Sequence, residues 1–311
     1  MEYLLLVAGF VLLVKGADFF VEGSSSVAKL LHIPSVIIGL TIVAFGTSAP
    51  ELAVSISASL SGSNDIAVGN VIGSNIFNLL MVVGVCGIIL PMKIDKSILY
   101  GDFLFSIAAE AVMLALFFFD CRLGRLDGIV LLAMFGYFLF KTVKNTLASR
   151  AAGINGEEEE IRVFNPWLSV LFIFGGMAAI VIGGNLVVDS ASAIAASFGM
   201  TETLIGLTIV AFGTSLPELV TSIVASRKGE NELALGNVIG SNLFNVLFVL
   251  ATSCTISPMK VDRLSIFDGC FLIAVSILTW GLAKRNYEIG RKEGILMTAL
   301  YIVYAVYIIA R

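Results

Sequence analysis

The chain has 311 residues, of which 58% are hydrophobic and 14% are charged, and its mean hydropathy is +0.99. A soluble domain contains about 45–50% apolar and about 25% charged residues, so this composition excludes an ordinary water-soluble protein and predicts that lipid surrounds the chain. The net charge of −4 argues against a nucleic-acid partner, because binding phosphate requires concentrated Lys and Arg.

Apolar stretches long enough to cross a bilayer, with about 20 residues each, recur ten times along the chain. We therefore predict an all-α membrane protein. The predicted spans are roughly 2–21, 36–60, 66–90, 98–119, 127–145, 167–188, 203–226, 233–257, 265–283 and 294–310. The chain enters the first stretch directly from Met1, without a basic segment or a clear cleavage site, so we predict a retained helix and not a signal peptide.

The two halves of the sequence repeat each other at an offset of 167 residues. Residues 39–59 align with 206–226 at 17 identical positions of 21, and residues 69–78 align with 236–245 at 9 of 10. Because five spans per half is an odd number, the second half must enter the membrane from the opposite side. This is the inverted-repeat pattern of secondary transporters.

The predicted organisation has three parts. The first inverted repeat, 1–145, contains spans 1–5 and the motif at 39–78; a cytoplasmic linker follows at 146–166; the second repeat, 167–311, contains spans 6–10 and the motif at 206–245. With both termini outside, the inner loops carry thirteen Lys or Arg residues and the outer segments five, in agreement with the positive-inside rule. We expect a multi-pass protein of the plasma or inner membrane.

Two acidic residues interrupt apolar spans at equivalent positions. Glu51 ends the sequence GTSAPE of the second span, and Glu218 ends GTSLPE of the seventh. An ionised carboxylate at mid-membrane costs about 2.5–3.5 kcal/mol on insertion scales. We therefore expect the two glutamates to bind a cation, a proton, or both.

The residues before each glutamate predict that helices 2 and 7 are broken at these motifs. Pro50 and Pro217 lack an N–H group, so the carbonyls of Gly46 and Gly213 lose their helical donors. Exposed carbonyls at this depth are tolerated only where protein or a cavity satisfies them. Hydroxyl oxygens lie beside each break, at Thr47, Ser48, Thr214 and Ser215. Such hard oxygen ligands suit Ca²⁺ or Na⁺.

The third and eighth spans are predicted to supply the facing wall of the site. Polar residues recur at i, i+4 and i+8 and so share one helical face; they are Asn70, Ser74 and Asn78, and in the second half Asn237, Ser241 and Asn245. Such residues also hydrogen-bond helices together without any ligand. The two interpretations are equally open for Asn70, Asn75, Asn237 and Asn242.

At these motifs the chain resembles the calcium/cation antiporter superfamily, whose sodium/calcium exchangers carry such repeats. The resemblance covers the whole chain and implies ten transmembrane helices, with four central cation sites between helices 2, 3, 7 and 8. By position it implies ligands at Thr47, Ser48, Glu51, Ser74, Asn78, Thr214, Ser215, Glu218 and Ser241, and at the backbone carbonyls of Ala44 and Ala211.

The resemblance also implies a function. We expect antiport of Ca²⁺ against Na⁺ by alternating access, in which helices 1 and 6 slide and the counter-ions compete with Ca²⁺ for the two glutamates. No bound cofactor is expected; the partners are inorganic cations and the bilayer, and the unit is expected to function as a monomer. Exchange of H⁺ for Ca²⁺ or another divalent cation at the same site is the alternative.

One position departs from the family pattern. Sodium/calcium exchangers typically have Asp where this chain has Asn245, so the predicted site contains two carboxylates and not three. Two negative charges balance one Ca²⁺, two Na⁺ or two H⁺. We therefore hypothesise an electroneutral exchange of two monovalent cations for each Ca²⁺.

Two other functions stay open on the sequence alone. A cation channel would also fit oxygen-rich spans, although inverted halves favour alternating access. A membrane enzyme is poorly supported, because the single histidine, His32, lies outside both motifs and the sequence contains no HExxH motif.

Two acidic features lie outside the motifs. The acidic run 157–160 in the linker is expected to be solvated. Glu110 lies inside a span without an acidic equivalent in the other half, so it is a second candidate for a functional carboxylate.

Overall fold

The computed structural model of the chain describes residues 1–118, 120–151, 163–200, 209 and 211–310. The acidic run 157–160 and the beginning of the predicted seventh span lie outside the described residues.

The described chain is mainly helical. Its helices are α1 (Glu2–Leu31), α2 (Ser35–Ile38), α3 (Ala44–Thr47), α4 (Ala49–Leu60), α5 (Asn64–Phe77), α6 (Val83–Ile89), α7 (Phe103–Phe118), α8 (Arg125–Ala151), α9 (Pro166–Ser197), α10 (Ala211–Thr214), α11 (Leu216–Arg227), α12 (Asn231–Phe244), α13 (Ala251–Ile256), α14 (Arg263–Asn286) and α15 (Arg291–Ala310). π-helical turns continue or precede several of them at Gly39–Val43, Asn78–Val82, Ile98–Asp102 and Asn245–Leu250.

The helices identify a multi-pass membrane protein. Within the described residues, eight helical stretches are long and apolar enough to cross a bilayer. A ninth is obtained if Ser35–Thr47 and Ala49–Leu60, which meet at an angle of 47°, form one broken span. The predicted span 203–226 is described only in part.

Helices α1 and α9 pack against each other along their whole length through glycines. A Cβ atom added at Gly16 would lie 2.9 Å from the carbonyl oxygen of Gly176, and one added at Gly9 would lie 3.0 Å from that of Gly183. Because the later residue of α1 meets the earlier residue of α9, the two helices run antiparallel. Only residues without a side chain permit this backbone contact.

Both helices are longer than predicted. The span expected to end near residue 21 continues to Leu31, and the span expected to end near 188 continues to Ser197. The serines at 24–26 lower the hydropathy of the end of α1, yet they are buried, and Ser26 Oγ lies 2.8 Å from Ser169 Oγ of α9. Packing against α9 stabilises the last turns of α1, and a hydropathy profile does not measure such packing.

Two short antiparallel ribbons, absent from the sequence-based prediction, join the halves of the chain. In the first, β1 (Met92–Lys93) pairs with β4 (Glu288–Ile289); in the second, β3 (Met259–Lys260) pairs with β2 (Arg122–Leu123). Each ribbon combines one strand from each half. Strand β3 lies one repeat offset after β1 in the sequence, so the two strands are equivalent. The two ribbons therefore have the same arrangement, with the contributions of the two halves exchanged.

The backbone conformation recurs with the repeat as well. All positive-φ residues in the described chain fall into three pairs separated by 167, 167 and 166 positions. These pairs are His32 with Gly199, Gly62 with Gly229, and Cys121 with Tyr287. The sharp helix ends and turns of one half therefore recur at matching positions in the other.

Among the described helices α12 is the most buried, and it contacts the first motif directly. A Cβ atom added at Gly236 would lie 2.5 Å from the Val36 carbonyl oxygen, and one added at Gly39 would lie 2.6 Å from the Leu233 carbonyl oxygen. This backbone contact brings the segment that leads to Glu51 against a helix of the opposite half.

Candidate cation-binding site

The two glutamates of the repeated motifs lie in the first turns of two helices. The chain leaves helical geometry at Ser48 (φ −86°, ψ 9°), and α4 begins at the next residue; Ser215 (φ −94°, ψ 6°) precedes α11 in the same way. Glu51 and Glu218 follow these breaks and are both 0% exposed. The amino end of a helix favours negative charge, so each helix supports its own carboxylate.

Serines of one half hydrogen-bond the glutamate of the other. Ser48 Oγ donates to Glu218 Oε1 at 2.9 Å, and Ser215 Oγ donates to Glu51 Oε1 at 3.2 Å. Ser74 Oγ of α5 lies 3.5 Å from the same Glu51 oxygen and 3.1 Å from Ser215 Oγ. Each carboxylate is thus hydrogen-bonded by a serine of the opposite motif, and all four residues are buried.

The second oxygen of each carboxylate has no hydrogen-bond partner among the described residues. The same is true of three other predicted ligand atoms in the two motifs; they are Asn78 Oδ1, Asn245 Oδ1 and Thr214 Oγ1. A buried polar atom without a partner is costly, and a buried charge requires pairing or a metal. Carboxylate, amide and hydroxyl oxygens are the ligands that Ca²⁺ prefers, so the donor set fits a hard cation.

Unpartnered buried hydroxyls also occur elsewhere in the described chain, for example at Ser24 and Ser253. Outside the site, however, Glu110 is the only described residue that combines a carboxyl group with an unpartnered buried oxygen. The concentration of such carboxyl and amide oxygens around the two motifs therefore distinguishes this place from the rest of the fold.

Other predicted ligands are engaged within the protein. Thr47 Oγ1 donates to Asn237 Oδ1 at 3.1 Å and lies 3.5 Å from Ser241 Oγ. The Ala44 carbonyl accepts the N–H of Ser48 at 3.0 Å. Ala211 opens α10 at the position that matches Ala44.

Asn70 and Asn237 link helices, which is one of the two interpretations that the sequence left open. Asn70 Nδ2 donates to Ser55 Oγ at 2.9 Å, and Asn237 Nδ2 donates to Ser222 Oγ at 3.0 Å. These bonds join α4 to α5 and α11 to α12 at matching positions. Sequence reasoning did not single out Ser55 or Ser222, although each recurs in the repeat.

The comparison with known proteins decides the family. The family described as "Sodium/calcium exchanger protein" matches residues 1–144 and 168–310. The chain belongs to the sodium/calcium exchanger family. This confirms the resemblance found in the motifs, and it confirms that the chain is a transporter and not an enzyme.

Relatives of this exchanger-family protein match over nearly their whole length. It is 37% identical over 314 residues to "Inner membrane protein YrbG" of Escherichia coli strain K12, covering 96% of the chain and 94% of the relative. It is 34% identical over 351 residues to "Sodium/calcium exchanger MaX1" of Methanosarcina acetivorans, covering 98% and 97%.

The fold matches solved structures of the sodium-calcium exchanger NCX_Mj. One of them, soaked with 10 mM Na⁺ and 10 mM Sr²⁺, has a TM-score of 0.85 at 33% identity, with 97% of this chain and 96% of that chain covered. Another, soaked with 2.5 mM Na⁺ and 0.1 mM Ca²⁺, has a TM-score of 0.84. The exchanger-family protein therefore shares the membrane fold of NCX_Mj.

The exchanger-family protein has another deeply buried carboxyl group, apart from the two motifs. Glu110 of α7 is 1% exposed, and its Oε2 lies 2.6 Å from Ser276 Oγ of α14. This hydrogen bond ties α7 to α14.

We expect Glu110→Gln to retain transport, because Gln can still hydrogen-bond Ser276. Glu110→Leu is expected to destabilise the protein by about 1–3 kcal/mol, since it leaves the buried Ser276 hydroxyl without this partner. Thermal unfolding of both variants in detergent, together with Ca²⁺ uptake, checks this. Loss of uptake in a stable Glu110→Gln protein would assign Glu110 a direct role in transport.

Proposed function

We propose that this protein exchanges Ca²⁺ for Na⁺ across the plasma or inner membrane by alternating access, with Glu51 and Glu218 binding the ions competitively. The observation that carries the proposal is the reciprocal network in which Ser48 bonds Glu218 and Ser215 bonds Glu51, while each carboxylate keeps one buried oxygen unpartnered. Relatives named as sodium/calcium exchangers support the choice of ions.

The proposed ligands come from both motifs and both facing helices. They are the side chains of Glu51, Glu218, Thr47, Ser48, Thr214, Ser215, Ser74, Asn78, Ser241 and Asn245, with the carbonyls of Ala44 and Ala211. Because Asn245 is neutral, the site carries two negative charges, which balance one Ca²⁺ or two Na⁺. We infer an electroneutral exchange of two Na⁺ for one Ca²⁺.

An architecture of two inverted five-helix repeats, 1–145 and 167–311, joined by the linker 146–166, accounts for this reciprocity. Three observations support it: the two ribbons with exchanged halves, the paired positive-φ residues and the antiparallel packing of α1 on α9. In this architecture ten helices cross the membrane, and helices 2 and 7 break at Ser48 and Ser215. The glycine contact supports a mechanism in which α1 and α9 slide as one unit.

The orientation and the functional unit follow from the same architecture. Both termini lie outside and the linker lies in the cytoplasm, which puts most basic loops on the inner side. A monomer is sufficient for function, because each half of a single chain supplies the serine that bonds the glutamate of the other half.

The counter-ion is tested by uptake of radiolabelled Ca²⁺ into proteoliposomes under an imposed Na⁺ gradient, an imposed pH gradient, or neither. We expect the Na⁺ gradient alone to drive uptake. A clamped K⁺ potential should leave the rate unchanged, since an exchange that moved one net charge would couple to voltage at about 2.3 kcal/mol per 100 mV.

Each other outcome selects a different function. Uptake driven only by the pH gradient would replace Na⁺ by H⁺, which the same two carboxylates can bind. Uptake without any counter-ion gradient would indicate a channel. Strong voltage dependence would reject the electroneutral stoichiometry.

A further inference from the structure

Four buried asparagines, at the carboxyl ends of α5 and α12 and at the first residues of the π-helical turns that follow, form a hydrogen-bonded network next to the proposed cation site. Asn75 Nδ2 donates to the backbone carbonyl of Asn242 at 3.2 Å, and Asn242 Nδ2 donates to the backbone carbonyl of Asn75 at 3.4 Å. Asn78 Nδ2 donates to Asn242 Oδ1, and Asn245 Nδ2 donates to Asn75 Oδ1, both at 3.1 Å. All four side chains are at most 1% exposed.

The backbone carbonyls determine the orientation of every amide in this network. A carbonyl oxygen accepts hydrogen bonds and cannot donate them, so Asn75 and Asn242 must each turn Nδ2 toward the backbone of the other helix. Their Oδ1 atoms then face Asn245 and Asn78, and these two residues must in turn present Nδ2. The atoms left on the opposite side, Asn78 Oδ1 and Asn245 Oδ1, are buried and have no partner among the described residues.

We propose that Asn75 and Asn242 are positioning residues, which hold the side-chain oxygens of Asn245 and Asn78 toward the transported cation and keep their NH₂ groups away from it. A rotated amide would present two N–H donors to a cation and would repel it. Asn75 thus orients the ligand contributed by the second half, and Asn242 orients the ligand contributed by the first half. The inference rests on the proposed function, because it assigns these oxygens to Ca²⁺.

Substitution of Asn242 by Leu tests the proposal. Leu has the same number and connectivity of side-chain heavy atoms as Asn but accepts no hydrogen bond, so Asn78 loses the contact that fixes its orientation. We expect Asn242→Leu to weaken equilibrium Ca²⁺ binding to the purified protein roughly tenfold, as expected from losing one buried hydrogen bond. The KM for Ca²⁺ in proteoliposome uptake should rise in parallel.

A second substitution separates orientation from general damage to the fold. Asp at position 78 presents an oxygen whichever way it turns, so its orientation no longer matters. We therefore expect Asn242→Leu to cause no loss of Ca²⁺ affinity in an Asn78→Asp background. A merely structural role for Asn242 predicts the same loss in both backgrounds, and that result would overturn the proposal.

The other half of the chain offers an independent double-mutant comparison, which applies if Asn242→Leu fails to fold. Asn75→Leu is compared in the Asn245 and Asn245→Asp backgrounds, with the same expected loss in the first and none in the second. If the wild-type protein neither bound nor transported Ca²⁺, the proposed function would fall and this inference with it. Ca²⁺ binding with equal losses in both backgrounds would reject only the positioning role.

Discussion

Ca²⁺ uptake is expected to disappear when Glu51 or Glu218 is replaced by Gln. Each substitution removes one of the two charges that balance Ca²⁺ and replaces a carboxylate oxygen by an NH₂ group. A charge at about 4 Å contributes about 4 kcal/mol at an effective dielectric constant of about 20, and more for a divalent ion. We therefore expect Ca²⁺ affinity to fall more than about 100-fold.

Equilibrium Ca²⁺ binding and proteoliposome uptake measure this loss, and Glu110→Gln is the matched control. Glu110 is an equally buried membrane carboxyl, but it is bonded to Ser276 and not to a motif serine. The same chemical change at Glu110 should leave affinity intact. Wild-type Ca²⁺ flux in either Glu51→Gln or Glu218→Gln would rule out the proposed site.

The second large effect is expected at the contact between α1 and α9. A Cβ atom at Gly176 would lie 2.6 Å from the backbone nitrogen of Phe20 and 2.7 Å from the carbonyl oxygen of Gly16. Backbone atoms cannot rotate away, so Gly176→Ala must separate the two helices. We expect a loss of about 1–3 kcal/mol in stability and a strong reduction of exchange, because the two helices that are proposed to slide together no longer pack closely.

The neighbouring Gly175 provides the control within the same helix. No described atom lies within 4 Å of a Cβ added at Gly175. Gly175→Ala should therefore be neutral or slightly stabilising, since Ala has the higher helix propensity. Thermal unfolding and uptake measured on both variants decide the matter. Equal behaviour of Gly175→Ala and Gly176→Ala would show that close packing of α1 on α9 is unimportant.

The encounter of the two motifs was predictable from the sequence because the repeat imposes it. Carboxylates at equivalent positions of two repeated segments were expected to share one site, and the structure puts Ser48 against Glu218 and Ser215 against Glu51. Their role in ion binding stays a prediction. The membrane fold was predictable for a simpler reason, since long apolar stretches have no other stable surroundings.

Features that depend on tertiary contact were not predictable in the same way. The end of α1 at Leu31 depends on serines buried against α9, which hydropathy scores as polar. The ribbons depend on pairing between strands that are far apart in the sequence. For Asn75 and Asn242, the sequence left two interpretations equally open. The outcome depends on which backbone carbonyl each amide meets in the opposite helix.

The exchanged serine bonds have a consequence for the fidelity of transport. Ser48 and Glu51 lie within one turn of each other, yet they serve different carboxylates, and the same is true of Ser215 and Glu218. A shift of one motif that disturbs its own glutamate therefore disturbs the opposite glutamate in the same movement. If the two glutamates bind the transported ions as proposed, neither can release its ion without disturbing the other, and such coupling opposes slippage, in which one ion crosses without the return of the other.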